Sequence, residues 1–160
     1  MVREYVDERE NSGAMLRPSA SSHREAHEQA VRNIAEQLFP FPTPEYPHFR
    51  TLVNEPEVVQ KIFTNYGNEL APDIVVLQWP EKLPVMVAEV VTEDMLTDEN
   101  AESVWAVESR LEGIQFFLYV PAGQAKAAKS LLKKHGIKDV ALRTWRNITG
   151  LRTVDVAALR

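Results

Sequence analysis

The sequence predicts an α/β domain built on a mixed β-sheet with helices on both faces. Three observations carry that prediction. Two β-rich runs, Asp73-Ile74-Val75-Val76-Leu77-Gln78-Trp79 and Val85-Met86-Val87-Ala88-Glu89-Val90-Val91, flank a five-residue connector, the arrangement of an antiparallel hairpin. Both runs are apolar at nearly every position, which is the pattern of strands covered on two sides. Downstream, helix-period segments alternate with apolar strands, an order that calls for crossover connections and parallel pairing.

Taken in chain order, residues 1–21 are first charged and then small and polar, without sustained periodicity, and read as an N-terminal tail that orders only against a partner. Residues 22–160 form the single domain. His23, His27, Ala30, Ile34 and Leu38 recur at helical spacing, with Ser22 as N-cap and Pro40 as terminator. Four prolines between Phe39 and Pro47 exclude a regular element there. Phe49 to Val53 reads as a short strand, and Asn54 to Asn68 as either a short helix or a hairpin with a turn near Gly67. After the paired strands, Thr97 caps a helix that begins with Asp98 and Glu99 and runs through Trp105 to about Glu112, stopping at Gly113. Ile114 to Val120 is a third apolar strand, Ala122 to His135 an amphipathic helix closed by Gly136, and Val140 to Trp145 the final strand.

Composition narrows the chemistry. The chain has 160 residues and no cysteine, which removes disulfides, thiolate metal sites and cysteine nucleophiles. The net charge of −5 conceals a polarised chain: residues 1–109 hold 8 Lys/Arg against 20 Asp/Glu, and residues 110–160 hold 10 against 3. Those acidic and basic regions can associate head to tail or as a symmetric pair, so a homo-oligomer is one expectation. No apolar run approaches the roughly 18 residues of a membrane span, and the acidic start MVREYVDERE is unlike a secretory signal. The expected setting is cytoplasmic, with no membrane partner. Phosphate-binding glycine loops and nucleophile elbows are missing, which argues against ATP-driven chemistry and serine hydrolysis.

Two carboxylates stand where apolar residues are the rule. Asp73 opens the first buried run after Pro72, and Glu89 lies inside the second with Val87 and Val91 on its face. Burying an ionised carboxylate costs several kcal/mol unless it is paired or bound to a cation. On adjacent antiparallel strands the two can converge at one end of the sheet as an oxygen-rich ligand set for Mg²⁺. The plainer alternative is that Asp73 is solvated at the strand edge and Glu89 pairs with a nearby base.

Pro72-Asp73, followed after 15 residues by Glu89 in the context apolar-apolar-Ala-Glu-Val, resembles the core of the PD-(D/E)xK nuclease superfamily, the restriction-endonuclease-like fold. The order helix, strand, Pro-Asp strand, Glu strand, helix, strand over roughly residues 22–121 matches as well, and the text from Ala71 to Arg146 looks like bacterial members of that superfamily. The resemblance implies Mg²⁺-dependent phosphodiester hydrolysis, with Mn²⁺ as a substitute. Asp73 and Glu89 would be catalytic metal ligands, the Val90 carbonyl a third, and Glu28 on the first helix a fourth. The motif is degenerate: the position usually held by lysine is Val91, which neither donates a proton nor stabilises an anion. Lys82 in the hairpin turn and Arg110 on the outer side of its helix are poor substitutes. The chain therefore reads as an enzyme fold that is either a metal-dependent endonuclease or a pseudo-nuclease. The alternative is a non-catalytic binding or assembly protein on the same scaffold.

Other groups have competing readings. His23 and His27 are spaced for a transition-metal pair but fall on the apolar stripe, where a boundary histidine is the commoner case; His27 can also lean toward Asp73 and Glu89. Glu108 falls on the inward side of its helix and reads as a rim residue or a partner of the site. Lys126, Lys129 and Lys133, with Arg143 and Arg146, offer a basic surface for nucleic acid, although most lysine-rich helix faces are only solvated.

Overall fold

The computed structural model describes residues 20–147 and 154–158. The first helix, α1 (Ala20–Leu38), forms where the helical period is strongest and buries His27, Ala30, Val31, Ile34 and Ala35 along one stripe. It is already running at Ala20, so Ser22 lies in its first turn and not at its cap; alanine, the best helix former, extends the element. Ala20 and Ser21 of the expected tail are thus helical, and the rest of that tail lies outside the described residues. Leu38, expected on the buried stripe, is exposed because Phe39, just beyond the helix, turns in instead and packs edge-on against Phe117 and Tyr119.

Strands β1 (Phe49–Val53), β4 (Ile74–Gln78), β5 (Leu83–Val90), β6 (Gln115–Pro121), β7 (Ala141–Asn147) and β8 (Val154–Ala158) form one sheet in the order β1-β4-β5-β6-β7-β8. The pairs β1/β4, β4/β5 and β7/β8 are antiparallel, while β5/β6 and β6/β7 are parallel. Between β1 and β4 a separate hairpin, β2 (Ile62–Phe63) and β3 (Glu69–Leu70), decides the ambiguous 54–68 segment; Gly67 supplies its turn at φ +85°. The strand expected to be last, 140–145, is not the edge. β8 adds to β7 in antiparallel register, with Arg146 Nε 3.1 Å from Asp155 Oδ2.

The helices lie on both faces, as the doubly apolar strands require. On one face, α1 packs over Ile74, Val76, Ala88, Val90, Tyr119 and Trp145. The other is covered by two crossover helices. One, α2, is continuous over 98–109 and comprises Asp98–Asn100, a π-helical stretch Ala101–Trp105, and Ala106–Ser109; the other is α3 (Ala125–Lys134). They enclose Val75, Val87, Val91, Trp105, Leu118 and Leu132. The Thr97 side chain accepts the Asn100 N–H at the start of α2, the cap expected there. No helix among the described residues is long and apolar enough to cross a membrane.

Candidate active site

The antiparallel register of β4 and β5 pairs Ile74 with Ala88, so one further step sets Asp73 across from Glu89. The two carboxylates take different side-chain partners from there. Asp73 precedes the strand proper, and its side chain lies at the end of the sheet, where Oδ2 accepts the Val90 N–H at 2.8 Å and stands 3.2 Å from His27 Nε2 on α1. Glu89 stays on the face of Val87 and Val91 and meets Glu108 of α2.

On the α1 side, His27 is buried between two carboxylates: Nε2 faces Asp73, and Nδ1 lies 3.2 Å from Glu55 Oε1. Burial works to lower the His27 pKa. The hydrogen bond and charge of Asp73, the charge of Glu55 and the Val90 carbonyl outweigh it, so the pKa is raised above the usual histidine value. Glu55 is raised mainly by burial, with His27 opposing and Asp73 and Glu28 adding to the rise. His27, Glu55 and Asp73 bring one ligand atom each within 4.8 Å of one another.

Glu55 reaches this position because Asn54, itself buried, ties down the loop that follows. Its Oδ1 accepts the Val59 and Gln60 N–H groups, and its Nδ2 donates to the Gln60 and Pro72 carbonyls. Asn54→Ala strips four hydrogen bonds from a buried polar centre and should destabilise the protein by about 2–3 kcal/mol. Urea denaturation of the purified variant measures that loss, and a change below about 0.5 kcal/mol would show that the loop stands without the latch.

On the α2 side, Glu108 is 1% exposed and not the rim residue expected from its helix position. Its carboxyl meets that of Glu89, and Glu89 Oε2 and Glu108 Oε1 are sealed from solvent with no donor from any other group. Glu89 as a residue keeps some solvent contact, but this oxygen has none. Burial is the first cause that holds the Glu89 carboxyl far above the normal carboxylate range, and the charges of Glu108 and Asp73 reinforce it. Burial also pushes Glu108 up to about 8, with the Glu89 hydrogen bond opposing and the Asp73 charge adding. A buried acid pair of this kind fits protons retained between the carboxyls, or a cation in their place.

The remaining candidates are dispersed. Glu28 is half-buried beside Glu55 and outside the three-residue cluster; the donor that α1 turns toward Asp73 is His27, one residue earlier. The Val90 carbonyl acts on His27. Val91 is 3% exposed within the apolar core, its carbonyl accepting the Trp145 indole N–H at 3.2 Å. Lys82 lies over the Trp79 ring in the hairpin turn, and Arg110 is exposed past the end of α2.

The basic residues do not form one surface. Lys126, Lys129 and Lys133 are exposed on α3 over one face of the sheet. Arg143 pairs in register with Tyr119 of the α1-side core, and Arg146 is engaged by Asp155. Nor is the basic helix apart from acid: Lys134 and His135 both contact Asp98, at 2.9 and 2.8 Å. A cleft of about 280 Å³ opens at the C-terminal ends of β5, β6 and β7, the same end as Asp73, lined by Thr92, Glu93, Pro121, Ala122, Gln124 and Trp145. Sequence spacing set Asp73 and Glu89 at this end and offered His27 and Glu108 there only as the less favoured alternatives; Glu55 was missed, because its placement depends on the Asn54 latch and carries no periodic signal. Comparison of the chain with family models, with curated proteins and with solved structures returned no match.

Proposed function

We propose that the protein is a divalent-metal-dependent phosphodiester hydrolase of the PD-(D/E)xK type, working slowly because position 91 is valine. The observation that carries this reading is the register that sets Asp73 opposite Glu89 at the end of two central strands, the end of the sheet at which a cleft also opens. Asp73 and Glu89, with the Val90 carbonyl, are the residues that would hold the ion. A bound divalent cation supplies polarisation of the phosphoryl group and a water acidic enough to attack near neutral pH. The chain's own part is to orient those ligands: the Val90 N–H fixes Asp73, and Glu108 stands against Glu89, which would have to give up the proton that burial favours in order to ligate. Nothing at Val91 steadies the attacking water or the charge that develops on phosphate.

Supercoiled plasmid and single-stranded DNA, incubated with Mg²⁺ or Mn²⁺, should be nicked slowly by the wild type and not by Glu89→Gln. Val91→Lys should raise the rate at least tenfold, because its ammonium would stand on the same face as Glu89 and Glu108, whose free oxygens offer it partners. Absence of nicking by both wild type and Val91→Lys would overturn the reading. The apolar burial of Val91 favours a second one, a non-catalytic assembly protein on this scaffold, which predicts salt-sensitive oligomers unaffected by Glu89→Gln.

A further inference from the structure

We propose that His27, Glu55 and Asp73 form a binding site for a divalent transition-metal ion of the Mn²⁺ or Zn²⁺ class, selected over Mg²⁺ by the imidazole nitrogen. The site shares Asp73 with the proposed hydrolytic centre but does not require Glu89, and it stands whether or not the protein cleaves phosphodiesters.

The donors come from three separate segments, yet their ligand atoms lie within 4.8 Å of one another. Two of them are positioned independently of any ion: Asp73 by the Val90 N–H, and Glu55 by the loop that Asn54 ties to Pro72. The histidine supplies an observation of its own. Both ring nitrogens face carboxylate oxygens at 3.2 Å, and a neutral imidazole has only one N–H to give. One nitrogen lone pair of the neutral ring is then aimed at an anionic oxygen, an arrangement that a second ring proton relieves at low pH and a bound cation relieves when the ring is neutral.

One imidazole with two carboxylates is a mixed nitrogen and oxygen set, which favours Mn²⁺ or Zn²⁺; Mg²⁺ prefers oxygen alone and gives up water reluctantly.

Titration of the metal-free full chain with MnCl₂, ZnCl₂ and MgCl₂ by calorimetry tests this, with His27 ring resonances followed by NMR as Mn²⁺ is added. One equivalent of Mn²⁺ or Zn²⁺ should bind, Mg²⁺ at least tenfold more weakly, and Mn²⁺ should selectively broaden the His27 signals. Glu55→Gln, a change on a half-buried loop that leaves the core intact, should weaken binding tenfold or more, and His27→Gln should do the same. Glu89→Gln should leave affinity within about twofold while abolishing any nicking, which separates this site from the hydrolytic reading. Equal affinity for Mg²⁺, binding that survives Glu55→Gln but not Glu89→Gln, or no binding at all would overturn the proposal.

Discussion

At pH 9 the Glu108→Gln variant should melt several degrees above the wild type, and at pH 5 the two should nearly coincide. Glu108 is buried, and its pKa in the folded protein is raised from 4.5 to about 8. Below about pH 4.5 the carboxyl is neutral in both folded and unfolded chains and has no effect on stability. Between 4.5 and 8 the unfolded chain releases the proton and the folded chain retains it, so stability falls as pH rises. Above 8 the penalty is complete, on the order of a few kcal/mol, or roughly 5–10 °C for a chain of this size. Glu89, shifted in the same direction, extends the slope. His27 adds to it as well: its raised pKa contributes stability that is present below the unfolded histidine value and is lost as pH rises through the folded one. The wild type should therefore be more stable at pH 5 than at pH 9, and glutamine at 108 should remove part of that slope. Melting curves across this range measure it, and a wild-type midpoint that is flat or climbs with pH would refute the account.

Asp73→Asn should destabilise the protein by about 2–4 kcal/mol at pH 6 and by clearly less at pH 9. Asparagine keeps an oxygen for the Val90 N–H and removes the charge, so the substitution isolates electrostatics from hydrogen-bond geometry. At pH 6 the loss is the pairing of Asp73 with His27, a buried contact between elements 46 residues apart in sequence. At pH 9 that pairing has weakened, and the same substitution relieves the repulsion that Asp73 exerts on Glu89 and Glu108. Denaturant unfolding at both pH values reads the difference directly. Equal losses at the two would show that the Asp73 charge is not coupled to either neighbour.

Much of the architecture was legible because it rests on local pattern. The runs 73–79 and 85–91 announced interior strands by lacking polar alternation, and Thr97 and Gly136 marked helix ends by chemistry that acts within one turn, whereas α2 stops at Ser109, short of the Gly113 expected to close it. β8 was overlooked: Val154, Asp155 and Val156 alternate over too few residues to stand out, and the strand is fixed by pairing with β7. The π-helical stretch Ala101–Trp105 has no signature in composition either. At the site, the buried acids were visible as misfits among apolar neighbours, but their partners were not. Helical spacing put Glu28 and His27 near the same face, and only the packing of α1 shows that His27 is the one that turns to Asp73. Glu55 is brought to His27 through Asn54, a contact set by tertiary structure alone.

The ionisable groups around Asp73 link the two helical layers past the end of the sheet: Glu55 and His27 on the α1 side, Asp73 between, Glu89 and Glu108 on the α2 side. The sheet separates the apolar cores, yet this relay of charge does not stop at it. Thermodynamic reciprocity then applies across the domain: whatever occupancy at His27 does to the proton affinity of Glu108, protonation of Glu108 does in equal measure to that occupancy. Two apolar cores are thus joined at Asp73 by a chain of ionisable groups, through which a change of charge on one layer is felt on the other.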